Sequence, residues 1–143
     1  MADRNGEQTL RLVAHQTHYD FLDLGAAGYS LGDQLAFGET FSKRGDSVGR
    51  SGIACTVTAF EPPPSDVVTV NCVGTLRLKD GQVNLQGLLE LDGLADPGPF
   101  RVAITGGTGR YRGAGGEAVA WQPNPPENRY IYELRLDAEA LRR

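Results

Sequence analysis

The chain of 143 residues has no run approaching the roughly 20 consecutive apolar residues that a membrane helix requires. It also lacks an excess of cations. Fourteen Lys and Arg stand against 18 Asp and Glu, the net charge is −4 and the pI is near 5.1. Nothing there supplies the basic field that holds nucleic acid or an anionic membrane surface. Two cysteines, Cys55 and Cys72, are too few for a disulfide scaffold, and their spacing matches no zinc motif. No Ser-His-Asp order and no cluster of metal ligands stands out, which argues against hydrolases and metalloenzymes. The opening MADRNGEQTL has no apolar core of a signal peptide, so the expected compartment is the cytoplasm. Helical periodicity is almost absent.

What the sequence does contain is glycine (19 residues), proline (8 residues) and short stretches of period-2 alternation. That combination points to an all-β domain of short strands and turns. The organising stretch is FRVAITGGTGRYRGAGGEAVAW, Phe100 to Trp121. Phe100, Val102 and Ile104 alternate with Arg101, Ala103 and Thr105. Gly106, Gly107 and Gly109 then allow a tight turn, and alternation resumes at Glu117, Val119 and Trp121. A phosphate-loop reading fails, because no Gly-Lys-Ser/Thr ending and no helix follow the glycines. The turn is structural.

Elsewhere, strands are expected at Leu10 to Asp23, Leu35 to Phe41, Val48 to Phe60, Val67 to Leu78, Val83 to Leu91 and Arg129 to Leu136. Cys55 and Cys72 lie equally far from the centre of the Pro62-Pro63-Pro64 turn, so a symmetric hairpin places them opposite each other on the apolar side. In a reducing compartment they are expected to remain thiols. The count is about eight strands linked mostly by hairpins, and eight strands closing on themselves leave a lumen for one small ligand. The expected organisation is a flexible N-terminus at 1–8, one barrel domain at 9–137 and a tail at 138–143. The tail forms a helical turn or frays.

Five stretches run in the order of a known family: SLGDQLAF, VGRSGIACTV, KDGQVNLQG, AITGGTGRYRGAGGEA and RYIYELRL. In these the chain resembles the allene oxide cyclase barrel family and, more distantly, the plant dirigent proteins. The resemblance implies a small antiparallel eight-stranded barrel with a central ligand cavity, usually a homo-oligomer (dimer or trimer), that needs no cofactor or metal. It also implies a lumen acid at Asp20 and a lumen cysteine at Cys55. Leu22 replaces the asparagine that follows the acid in the plant cyclases, and Gly115 falls where dirigent proteins carry an arginine. The closer likeness is to bacterial natural-product cyclases.

Three residues are candidates for the chemistry. Asp20 is one, with His18 two residues away on the same strand parity, and Glu39 lies within the apolar stripe of Leu35, Phe37 and Phe41. A buried carboxyl either stabilises developing positive charge or donates a proton. The bland alternatives are a strand-end aspartate, a hydrogen-bonded filler histidine and a solvent-facing glutamate. Phe37, Cys55, Trp121, Tyr130 and Tyr132 are candidate substrate-binding wall residues, with ordinary core packing as the alternative. The expected function is a cyclase or isomerase that folds a small hydrophobic biosynthetic intermediate in the lumen. The alternatives are a non-catalytic ligand-binding barrel and a structural barrel filled by its own side chains.

Overall fold

The computed structural model describes residues 7–125 and 127–137. Eight antiparallel strands form a closed barrel in which each strand pairs with its sequence neighbours and the last returns to the first. They are β1 (Glu7–Leu22), β2 (Gln34–Lys43), β3 (Asp46–Phe60), β4 (Val67–Leu78), β5 (Gly81–Asp92), β6 (Phe100–Gly107), β7 (Gly116–Trp121) and β8 (Arg129–Asp137). The expected strands are therefore present, and β1 begins within the stretch expected to be flexible, at Glu7. Residues 1–6 and the expected tail at 138–143 lie outside the described residues. No described helix is long and apolar enough to cross a membrane.

Alternation sends one face of each strand into the lumen, where two apolar clusters form. One fills the end of the barrel built from Leu12, Phe41, Leu76, Leu78, Val83, Leu134 and Leu136. The other, on the β2–β5 side, contains Leu35, Val57, Val68, Val70 and Leu91. The first is closed by the glycine-rich connection between β6 and β7, which is a short 3-10 turn, Gly109–Tyr111, and not a tight hairpin turn. Tyr111 is buried in the cluster. The turn docks on the β4–β5 hairpin: Thr108 N–H donates to the Gln82 carbonyl at 2.9 Å and Arg110 N–H to the Asp80 carbonyl at 2.9 Å. A Cβ at Gly107 would collide with the carbonyl oxygens of Gln82 and Tyr111, and Gly109 holds φ +59° against the Asp80 carbonyl. The glycines thus permit backbone to lie on backbone and stopper the barrel.

At the opposite end, the Leu24–Gly32 connection is held by Asp33, which has no exposed surface. Its carboxylate accepts from Leu24 N–H at 2.9 Å and from Ser30 N–H at 2.8 Å. Its carbonyl accepts from Val57 N–H at 2.8 Å, tying the loop to β3.

The cysteines pair in register, Cys55 opposite Cys72, as the symmetric hairpin requires. They are not thiols. The structure joins them in a disulfide across β3 and β4. Directly opposed side chains on one face of two strands lie close enough for the bond, so the register itself supplies the proximity.

Candidate functional site: an acidic, aromatic pocket in the lumen

Between the two apolar clusters the lumen is not filled. A cavity of about 140 Å³ remains, lined mainly by aliphatic and aromatic side chains. Its floor is buried, at Glu39, Tyr132, Leu85 and Ala118. Five further lining residues, Gln16, Tyr19, Leu94, Asp96 and Tyr130, are only partly covered, with Tyr19 47% exposed. This gradient puts the mouth beside the β5–β6 connection.

Glu39 is the acid of the floor and is 2% exposed. It points inward because β2 alternates strictly, with Leu35, Phe37, Glu39 and Phe41 on the lumen side. Tyr132 Oη donates to Glu39 Oε1 at 2.6 Å, and Ser51 Oγ donates to the same oxygen at 2.8 Å. Both donors fall on Oε1. Among the described residues no donor reaches Oε2, and Glu39 is a lining residue of the cavity. Desolvation pushes the Glu39 carboxyl above the ordinary carboxylate range, while the bonds from Tyr132 and Ser51 pull it partly back. Tyr132 is itself raised well above a normal phenol by burial first, then by the Glu39 charge and its hydrogen bond to Glu39. The phenol therefore keeps its proton and stays a donor. Tyr132 also packs edge-on against Phe41, with ring centroids 5.3 Å apart. Nearer the mouth, burial and then the charges of Glu39, Asp96 and Tyr19 raise Tyr130.

Of the residues singled out in the sequence, Glu39, Phe37, Cys55, Tyr130 and Tyr132 meet around this cavity. Asp20 and His18 do not. A β-bulge interrupts β1 between Gln16 and His18: Gln16 pairs with Glu39, His18 with Gly38, and Thr17 is the extra residue. Beyond the bulge the parity inverts, so Tyr19 and Phe21 turn inward and His18 and Asp20 turn out. Asp20 and His18 are exposed on an open depression of the outer wall formed by β1–β6, where His18 Nδ1 lies 3.0 Å from Thr17 Oγ1. The expectation of a lumen acid at Asp20 is thus corrected by one inserted residue. Trp121 is likewise outside, under the guanidinium of Arg11 at 5.4 Å from the ring centroid. Ala118 and Ala120 take the lumen positions of β7. No group of three or more His, Cys, Asp or Glu among the described residues is placed to hold a metal ion.

Sequence reasoning missed Gln16, Tyr19 and Asp96 as wall residues, and missed Asp33 altogether. The inward set of β1 could have been found from its apolar residues, which change parity between Leu12/Ala14 and Tyr19/Phe21.

The fold and the pocket define a class: a single closed antiparallel barrel with a small cavity inside its own lumen. A family model described as an allene oxide cyclase barrel like domain matches residues 11–136, and the chain belongs to that family. Among solved structures, one titled as a pyocyanin demethylase is 32% identical, covers 90% of this chain and 99% of its own, and superposes with a TM-score of 0.75. The Diels-Alderase AbmU from Streptomyces koyangensis is 21% identical over 93% of this chain and 70% of its own, with a TM-score of 0.69. The pterocarpan synthase dirigent protein GePTS1 is 17% identical over 91% of this chain and 82% of its own, with a TM-score of 0.63. The last two share the fold. No curated protein matches the chain in sequence.

Proposed function

We propose that the barrel is an isomerase or cyclase for a compact, mostly apolar molecule, with Glu39 giving and recovering the proton that the rearrangement needs. The observation that carries this reading is a buried acid in the cavity lining, Glu39, whose Oε1 takes two donors while no described donor reaches Oε2. A carboxyl whose acid form is favoured by burial is better suited to give a proton than an ordinary carboxylate. Glu39 would protonate a carbonyl or epoxide oxygen through Oε2 and take a proton back from a carbon or hydroxyl of the rearranged product. No atom is gained or lost overall. Tyr132 is a positioning residue that fixes the carboxyl plane. Phe37, Tyr130 and the Cys55–Cys72 disulfide form the wall that selects the reactive conformer, and such preorganisation lowers the barrier of a ring closure.

Size narrows the substrate. The cavity is about 140 Å³, close to the roughly 150 Å³ that accepts a benzene in an engineered core. It suits one ring with small substituents; a larger skeleton would extend through the mouth. A second reading comes from the 32% identical relative: pyocyanin demethylation in the same lumen.

The test is turnover by product analysis on pyocyanin and on compact cyclisable carbonyl and epoxide compounds, with wild type, Glu39→Gln and Asp20→Asn. Glu39→Gln is expected to lose on the order of 100-fold or more, the range of general acid–base catalysis. Asp20→Asn, on the outer wall, is expected to stay within about twofold, as surface changes away from a site do. Binding without turnover would establish the ligand-binding barrel instead, and equal rates for wild type and Glu39→Gln would overturn the role of Glu39.

A further inference from the structure

The lumen is charged in one direction only. Two of its lining residues are acids, Glu39 on the floor and Asp96 near the mouth, and the described lining contains no Lys, Arg or His. Asp96 is held in place by its own loop: its two carboxylate oxygens accept from Asp92 N–H at 2.9 Å and Gly98 N–H at 2.8 Å. Five aromatic rings also line the space: Tyr19, Phe37, Phe100, Tyr130 and Tyr132. The faces of such rings are electron-rich and attract cations, more strongly where water is excluded. From this arrangement we propose that the substrate is a compact planar ring carrying positive charge, or gaining it during reaction, and that carboxylate-bearing molecules are excluded. This rests on the reading of the lumen as the binding site, and it names the chemical class that site takes.

The physical argument is one of compensation. A hydrated cation entering an apolar pocket loses solvation, and the loss is tolerable only where an opposite charge or ring face replaces it. Here the Glu39 carboxyl can supply the opposite charge, and five aromatic rings stand in the wall. A cation beside Oε2 also favours the carboxylate form of Glu39 and offsets the burial that opposes it. An anion meets the reverse: two acids that repel it when ionised, and no cationic side chain in the described lining to pair with. The overall charge of −4 adds a weak long-range bias in the same direction.

Three ligands of nearly equal shape separate charge from size: N-methylpyridinium, toluene and benzoate. The full chain is titrated with each at pH 7.5, and amide shifts are followed by NMR. N-methylpyridinium is expected to bind at least tenfold more tightly than toluene, to shift amides of β2 and β8 around Glu39 and Tyr132, and benzoate to leave them unmoved. In Glu39→Gln the ratio of cation to toluene affinity is expected to fall at least fivefold. If toluene or benzoate binds the lumen as tightly as the cation, the charge selection is overturned while the lumen stands as the binding site. If none of the three shifts lumen amides, the lumen reading fails, and this inference with it.

Discussion

Tyr132 and Glu39, 93 residues apart, share a hydrogen bond of 2.6 Å across the floor of the lumen. The bond joins β2 to β8, strands that do not pair with each other. It fixes one oxygen of a buried carboxyl, Oε1, which also accepts from Ser51.

Stability should carry the mark of that buried acid. Glu39 is raised above its ordinary 4.5 by desolvation. A carboxyl raised on folding contributes fully below the unfolded-state value, and the contribution is lost as pH rises through the folded-state value. Wild type should therefore lose stability relative to Glu39→Gln from about pH 4.5 upward, with a constant difference at lower pH. Urea midpoints for both proteins at pH 3.5 to 8 check this. A gap that widened toward acid would contradict it.

Removing the donor should act in the same pH direction. Tyr132→Phe keeps the ring but takes one hydrogen bond from the Glu39 carboxylate, and an under-satisfied buried acceptor costs about 1–3 kcal/mol. Because that bond lowers the Glu39 value, its loss should move the Glu39 titration further up. The cost should appear above the titration and shrink at acid pH. Denaturation across pH and the carboxyl carbon shift of Glu39 report the two effects separately.

Asp33 should matter more than any other loop residue. Asp33→Ala strips the acceptors from Leu24 N–H and Ser30 N–H, and losing two bonds to one carboxylate is expected to cost about 3 kcal/mol. Amide exchange at Leu24 and Ser30 should accelerate. Unchanged exchange at those two amides would mean that the loop is held by something else.

The Cys55–Cys72 disulfide closes a segment with a sequence separation of 17. Chain entropy for a loop of that length gives about 3 kcal/mol of stabilisation. Guanidinium unfolding with and without reductant should show a loss of that order. Thiol titration of the denatured, unreduced protein should find no free thiol, and two would show the pair open.

Much of this was legible in the sequence, and the gaps have physical causes. Alternation in DQLAFGETF placed Glu39 among inward apolar residues, and burial at 2% agrees. The symmetric proline hairpin gave the opposition of the cysteines, because hairpin register depends on local spacing. The bond that might form between them depends on redox conditions, which spacing does not encode. Asp20 was placed inward by the family resemblance, and His18 followed it by the period of two; the inserted Thr17 inverts the parity beyond it and turns both outward. The Tyr132–Glu39 bond is a product of barrel closure. No local pattern announces a contact 93 residues long.

The stoppered end of the barrel has a kinetic meaning. With Tyr111 buried in the apolar cluster that closes one end, the lumen of the described residues is a cup with its mouth at the other end. For the proposed reaction, product would have to vacate before the next substrate could enter, so the two would compete for one form of the protein. Product should then inhibit as a simple competitor of substrate, and saturating substrate should abolish that inhibition without altering the maximal rate.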